Sequence, residues 1–110
     1  MSLIKSMKNV SAEDLKNKID LGEKIVIVDV RTPQELTRGK IEGAINIPLD
    51  FFESEIERKV KDKNTSVYLY CLSGSRSIMA TQIMERKGYK NVFNVLSGML
   101  AWRSKGYPQV

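Results

Sequence analysis

Val67-Tyr68-Leu69-Tyr70-Cys71-Leu72-Ser73-Gly74-Ser75-Arg76-Ser77 decides how the chain is read. In it a continuous apolar run gives way abruptly to a loop of small polar residues around a cysteine and a glycine. The run Val67 to Tyr70 has the composition of a strand buried on both faces, the habit of parallel sheets. After the loop, Ile78, Met79, Ile83 and Met84 recur at helical spacing between Ser77 and Lys87, and Gly88 supplies the stop. Strand, tight turn and helix in that order place Cys71 beyond the carboxyl end of a strand, where open parallel sheets bind their ligands.

Outward from this unit the same alternation continues. Upstream, Ser11 caps a helix with Glu13 and Asp14 in its first turn and Leu15 and Ile19 as an apolar stripe ending near Gly22. Ile25 to Val28 is a β-branched strand followed by Asp29-Val30-Arg31. Thr32-Pro33-Gln34-Glu35 then puts proline at the first position of a short helix that Gly39 stops. Ala44 to Ile47 is a brief strand closed by Pro48. Phe51, Phe52, Ile56 and Val60 give an amphipathic helix from Asp50 to about Lys61. Downstream, Asn91 to Val95 is a strand and Gly98 to Arg103 a last helix carrying Trp102. Strands alternating with helices predict an α/β fold around a parallel sheet.

The loop after Tyr70 suits anion chemistry. Gly74 among small serines lets consecutive backbone N–H groups turn inward, and these add to the orphan donors and positive dipole end of the following helix. A thiolate is itself an anion, so this cradle and the Arg76 guanidinium are expected to favour ionised Cys71. Thiolate formation alone does not account for the loop. A hundredfold shift of the ionisation toward thiolate raises its fraction at neutral pH roughly 25-fold, yet costs about 8-fold in intrinsic nucleophilicity, leaving about threefold. Holding an anionic donor and stabilising the charge left on sulfur is the larger contribution.

Composition narrows the field further. With 110 residues the chain has room for one hydrophobic core, so one domain over residues 1–110 is expected, the first six residues being read as a vector-derived or disordered leader before Met7. Eighteen Lys and Arg against 13 Asp and Glu give a net charge of +5. The lysines are scattered among acids without interleaved aromatics, which reads as a solvated surface with a mild pull on small anions; neither nucleic acid nor a membrane is expected as partner. No run reaches the roughly 20 apolar residues of a membrane span, and a cytoplasmic location is expected. One cysteine and no histidine exclude Cys-His and Ser-His pairs, His-bearing zinc sites and an internal disulfide. No metal and no cofactor are expected.

Cys71-Leu72-Ser73-Gly74-Ser75-Arg76-Ser77 resembles the active-site loop of rhodanese-like domains. Asp29-Val-Arg-Thr-Pro-Gln-Glu35 with Gly39-Lys-Ile-Glu-Gly-Ala-Ile-Asn-Ile-Pro48 resembles the family's upstream signature, and Leu96-Ser-Gly-Met-Leu-Ala-Trp102 its closing one. The resemblance implies a three-layer α/β fold with a parallel central sheet of about five strands flanked by helices. It also implies a sulfurtransferase in which Cys71 carries a persulfide and the loop residues Leu72 to Ser77, with Arg76, bind the substrate. The donor is then a small sulfur anion such as thiosulfate, and the acceptor an external thiol, cyanide or a sulfur-acceptor protein. Lys40 stands where the family commonly has histidine, Leu36 where it commonly has an aromatic, and Met99 where it has a second glycine. Lys40 and Leu36 are expected to act on packing, and Met99 to reshape the pocket.

Two other readings compete. A cysteine-dependent phosphatase or arsenate reductase also places cysteine and arginine on an anion loop, but such loops resemble Cys, five residues, then Arg. Here four residues separate Cys71 from Arg76 and position 77 is serine. A sulfur-carrier or binding module that keeps the fold without turnover is the non-enzymatic alternative. Asp29, Arg31 and Glu35 are read as an ion-pair network bracing the loop, and Trp102 as a lid on the core.

Overall fold

The computed structural model describes residues 7–110, and the leader expected over residues 1–6 lies outside the described residues. The elements in chain order are β1 (Met7–Val10), α1 (Ala12–Asp20), β2 (Val26–Asp29), α2 (Pro33–Leu36), β3 (Ile45–Asn46), α3 (Leu49–Lys59), β4 (Ser66–Tyr70), α4 (Ser75–Arg86), β5 (Asn91–Val95) and α5 (Gly98–Ser104). All five strands are parallel and lie in the order β1-β5-β4-β2-β3. The fold is therefore the α/β arrangement expected, with β1 as an added edge strand.

The period-two alternation of β4 sorts the core into two layers. Val67, Leu69 and Cys71 face one side, where Phe52 and Ile56 of α3 and Ala80 and Met84 of α4 cover them. Tyr68 and Tyr70 face the other, against Ala12 and Leu15 of α1 and Met99 and Trp102 of α5. Leu69, Phe52 and Leu15 are fully buried, each contributing about 2 kcal/mol of apolar burial. Trp102 is 2% exposed, donates from Nε1 to the Pro108 carbonyl at 2.7 Å and meets Tyr107 edge-on. It belongs to the core, as expected.

Two helical faces differ from the expected stripes. Phe51, read as part of the buried face of α3, is 62% exposed, because that helix begins at Leu49 and turns Phe52 and Ile56 inward. In α4 the buried residues are Ser77, Ala80, Thr81 and Met84, whereas Ile78 and Met79 face outward. That helix starts at Ser75, inside the loop, and its small inward residues let its first turn approach the sheet.

Connections on either side of the β2–β4 pair run in opposite directions, from β2 toward β3 and from β4 toward β5. The loops at their carboxyl ends diverge there and open a crevice. The two segments that lead into it are Asp29 to Glu35 and Cys71 to Arg76.

Candidate active site

Cys71 directly follows the last residue of β4 and is wholly buried at the start of its loop. Gly74 has φ +115°, the left-handed region that favours glycine, and this turn carries its N–H to within 3.1 Å of the Cys71 Sγ. The Ser77 Oγ, one turn into α4, lies 3.5 Å from the same sulfur. Burial pushes the Cys71 thiol up, but the Ser77 hydroxyl and the backbone N–H groups of Ser77, Gly74 and Arg76 outweigh it. On balance the thiol lies below its ordinary value.

Arg76 acts on the sulfur mainly through its backbone. Its guanidinium turns instead to Glu35, with Nη1 donating to Oε1 at 2.7 Å and Nη2 to Oε2 at 2.9 Å. A weaker attraction between sulfur and guanidinium remains. The guanidinium, expected together with the loop to favour ionised Cys71, does so only through this weaker attraction, since both its tips are engaged by Glu35.

Glu35 is held by the local sequence. Thr32 caps α2, accepting from the Glu35 N–H, while Glu35 Oε1 accepts from the Thr32 N–H at 2.9 Å. Behind it, Arg31 and Asp29 are both buried and joined by Nη2–Oδ2 at 2.8 Å, and Arg31 also donates to the Gly39 carbonyl at 2.9 Å. The network read from Asp29, Arg31 and Glu35 is thus two ion pairs, one internal to the strand end and one reaching across to the loop.

The closing segment presses on the cysteine from behind. Ser97 and Gly98 have φ +58° and +43°, and the chain turns there so that the Met99 N–H donates to the Cys71 carbonyl at 2.8 Å and the Leu100 N–H to that of Leu72 at 3.0 Å. Met99 is fully buried in the α1–α5 layer. It therefore serves packing, and Leu100, half exposed, is the residue of this segment that lines the adjacent cleft.

Of the expected loop residues, Gly74, Arg76 and Ser77 surround the sulfur, Leu72 borders the cleft, and Ser73 and Ser75 point outward. Asn94 was not legible as part of the site. It is fully buried in β5, its Oδ1 accepts from Ser77 Oγ at 2.6 Å, and its Nδ2 donates to Asn9 Oδ1 at 3.0 Å. A polar amide inside the apolar run Asn91-Val-Phe-Asn-Val95 is the signal, since a buried amide needs partners.

The family model of the rhodanese-like domain matches residues 11–105, which takes in Cys71 with its loop, the Asp29 to Glu35 segment and Asn94. The chain belongs to the rhodanese-like domain family. A sulfurtransferase of Allochromatium vinosum is 32% identical over 104 residues, covering 94% of this chain and 95% of that one. YrkF of Bacillus subtilis, whose name gives it a sulfur-carrier role, is 37% identical over 102 residues, and there this rhodanese-like chain spans about half of the relative, 53%. Among solved structures, a rhodanese-related protein of Thermoplasma volcanium superposes with a TM-score of 0.80 at 30% identity, covering 97% of this chain and 98% of that one. No helix among the described residues of the rhodanese-like chain is long and apolar enough to cross a membrane.

Proposed function

We propose that this chain is a sulfurtransferase that takes a sulfane sulfur from thiosulfate, holds it as a persulfide on Cys71 and passes it to an external thiophilic acceptor. The observation that carries the reading is the set of polar groups around one sulfur: the Gly74 N–H at 3.1 Å, the Ser77 hydroxyl oxygen at 3.5 Å and the N–H groups of Arg76 and Ser77. Relatives named as a sulfurtransferase and a sulfur carrier support it.

In the first step the Cys71 thiolate attacks the outer sulfur of thiosulfate. A Cys71–sulfur bond forms, the bond between the two thiosulfate sulfurs breaks, and sulfite leaves with the electron pair. The charge that stood on Sγ now stands on the outer sulfur, still under the loop's N–H groups, which therefore stabilise both the attacking and the loaded form. In the second step an acceptor thiolate or cyanide attacks the outer sulfur and Cys71 leaves as thiolate. No oxidant or second cysteine is required.

The engagement of Arg76 with Glu35 favours this reading over a phosphatase, because a phosphoryl group needs a guanidinium free to meet its equatorial oxygens. Thiocyanate formation from thiosulfate and cyanide tests the proposal: turnover that Cys71→Ser abolishes supports it, and turnover that survives the substitution contradicts it. Sulfur loading without multiple turnover would assign the chain to the carrier role instead.

A further inference from the structure

We propose that the cleft beside the Cys71 loop binds the carboxylate of a small anionic thiol, and that such a thiol is the sulfur acceptor; the inference rests on the sulfur-transfer reading above. The cleft has a volume of about 370 Å³ and is bordered by Arg31, Glu35, Arg38, Leu72, Leu100 and Arg103. This is the size of a small-molecule site. A protein acceptor would instead need a contact face of about 800 Å².

The charges in the cleft do not cancel. Arg31 is neutralised by Asp29 and Glu35 by Arg76. Arg38 and Arg103 have no carboxylate partner among the described residues. Arg103 is nonetheless held in place: its Nε donates to Gln109 Oε1 at 3.2 Å and its Nη2 to the Arg38 carbonyl at 3.1 Å. Both acceptors are neutral, so the guanidinium is oriented while keeping its whole charge, an arrangement suited to receiving a carboxylate.

The apolar part of the cleft completes the fit. Leu72 directly follows Cys71, and Leu100, tied to it through the backbone at 3.0 Å, is half exposed. They offer a surface for the carbon stem of a thiol whose carboxylate rests on Arg38 and Arg103 and whose sulfur points to the loop. The Sγ itself is buried, and a persulfide carries its outer sulfur about 2 Å beyond it. The acceptor thiolate attacks that sulfur, one sulfur–sulfur bond forms as another breaks, and the products are the acceptor persulfide and Cys71 thiolate.

The test discharges the thiosulfate-loaded protein with 3-mercaptopropionate, 2-mercaptoethanol and cysteamine, thiols of similar length carrying negative, zero and positive charge. Rates are compared between the parent and Arg38→Gln, Arg38→Lys and Arg103→Gln, so that the intrinsic reactivity of each thiol cancels. The expected result is that Arg38→Gln and Arg103→Gln each lower the ratio of mercaptopropionate to mercaptoethanol rates by about tenfold, with Arg38→Lys recovering part of it. A ratio that stays constant in both glutamine variants overturns the inference, as does a loaded parent that mercaptopropionate does not discharge.

A second arm needs no sulfur transfer. Alkylation of unloaded Cys71 by iodoacetate relative to iodoacetamide falls in Arg38→Gln if the cleft draws carboxylates, and stays at the parent ratio if it does not. A parent that takes no sulfur from thiosulfate sinks the sulfur-transfer reading, and with it the acceptor role, while this arm still decides the anion site.

Discussion

Glu35 grips Arg76 with both carboxylate oxygens, Oε1 at 2.7 Å from Nη1 and Oε2 at 2.9 Å from Nη2, across 41 residues of sequence. The pair fastens the first turn of α4 to α2 and so fixes the far side of the Cys71 loop. Arg76 and the Thr32 cap hold the Glu35 carboxyl down to about 2 from its ordinary 4.5.

A depressed carboxylate adds stability that is present above its ordinary titration range and is lost as the pH falls from about 4.5 toward 2. Both side chains are about a third exposed, so solvent screening reduces the contribution to about 1 kcal/mol. Glu35→Gln is expected to cost about that much at pH 7 and less than half of it near pH 2, measured by urea unfolding at the two pH values. An equal cost at both would contradict the ion-pair account.

Removing Arg76 leaves the Glu35 carboxylate uncompensated beside the Cys71 loop. Arg76→Ala is expected to raise the KM for thiosulfate by about tenfold, and Glu35→Gln added to it to recover part of the loss. A double variant as impaired as Arg76→Ala alone would show that repulsion by Glu35 has no share in it.

Ser77 has one hydroxyl proton and three neighbours able to accept it: the Cys71 sulfur at 3.5 Å, Asn94 Oδ1 at 2.6 Å and the Gly74 carbonyl at 3.1 Å. Apart from the opposing effect of burial, this hydroxyl is the largest influence on the thiol and lowers it. Ser77→Ala is therefore expected to move the pH profile of Cys71 alkylation upward. Because it also deprives Asn94 Oδ1 of a buried donor, it should cost about 1–2 kcal/mol of stability. A profile that does not move would remove Ser77 from the ionisation of Cys71.

Gly98 lies behind the cysteine at φ +43°, where an added Cβ would run into the Cys71 carbonyl. Gly98→Ala is expected to destabilise by at least about 2 kcal/mol and to lower the thiocyanate rate at temperatures where the protein remains folded. Full activity would mean that the placement of the Cys71 backbone tolerates displacement.

Much of this arrangement is legible in the sequence because it follows from local chemistry. Apolar runs mark β2, β4 and β5, Thr32-Pro33 marks the start of α2, and Gly74 among serines marks the turn that follows Cys71. The strand Met7–Val10 is harder to see, since Lys8 and Asn9 break the apolar pattern and an edge strand needs only backbone pairing to β5. The outward turn of Ile78 and Met79 is equally hidden, because the loop demands small residues on the inward face of α4 and overrides the apolar stripe. Asn94, Arg38 and Arg103 enter the site through contacts between distant segments, which no local pattern encodes.

The most direct test of the central claim is the intact mass of the protein before and after thiosulfate, then after cyanide, in the parent and in Cys71→Ser. The account predicts one added sulfur on the parent alone, removed by cyanide. A parent that gains no sulfur, or a Cys71→Ser protein that gains one, would contradict it.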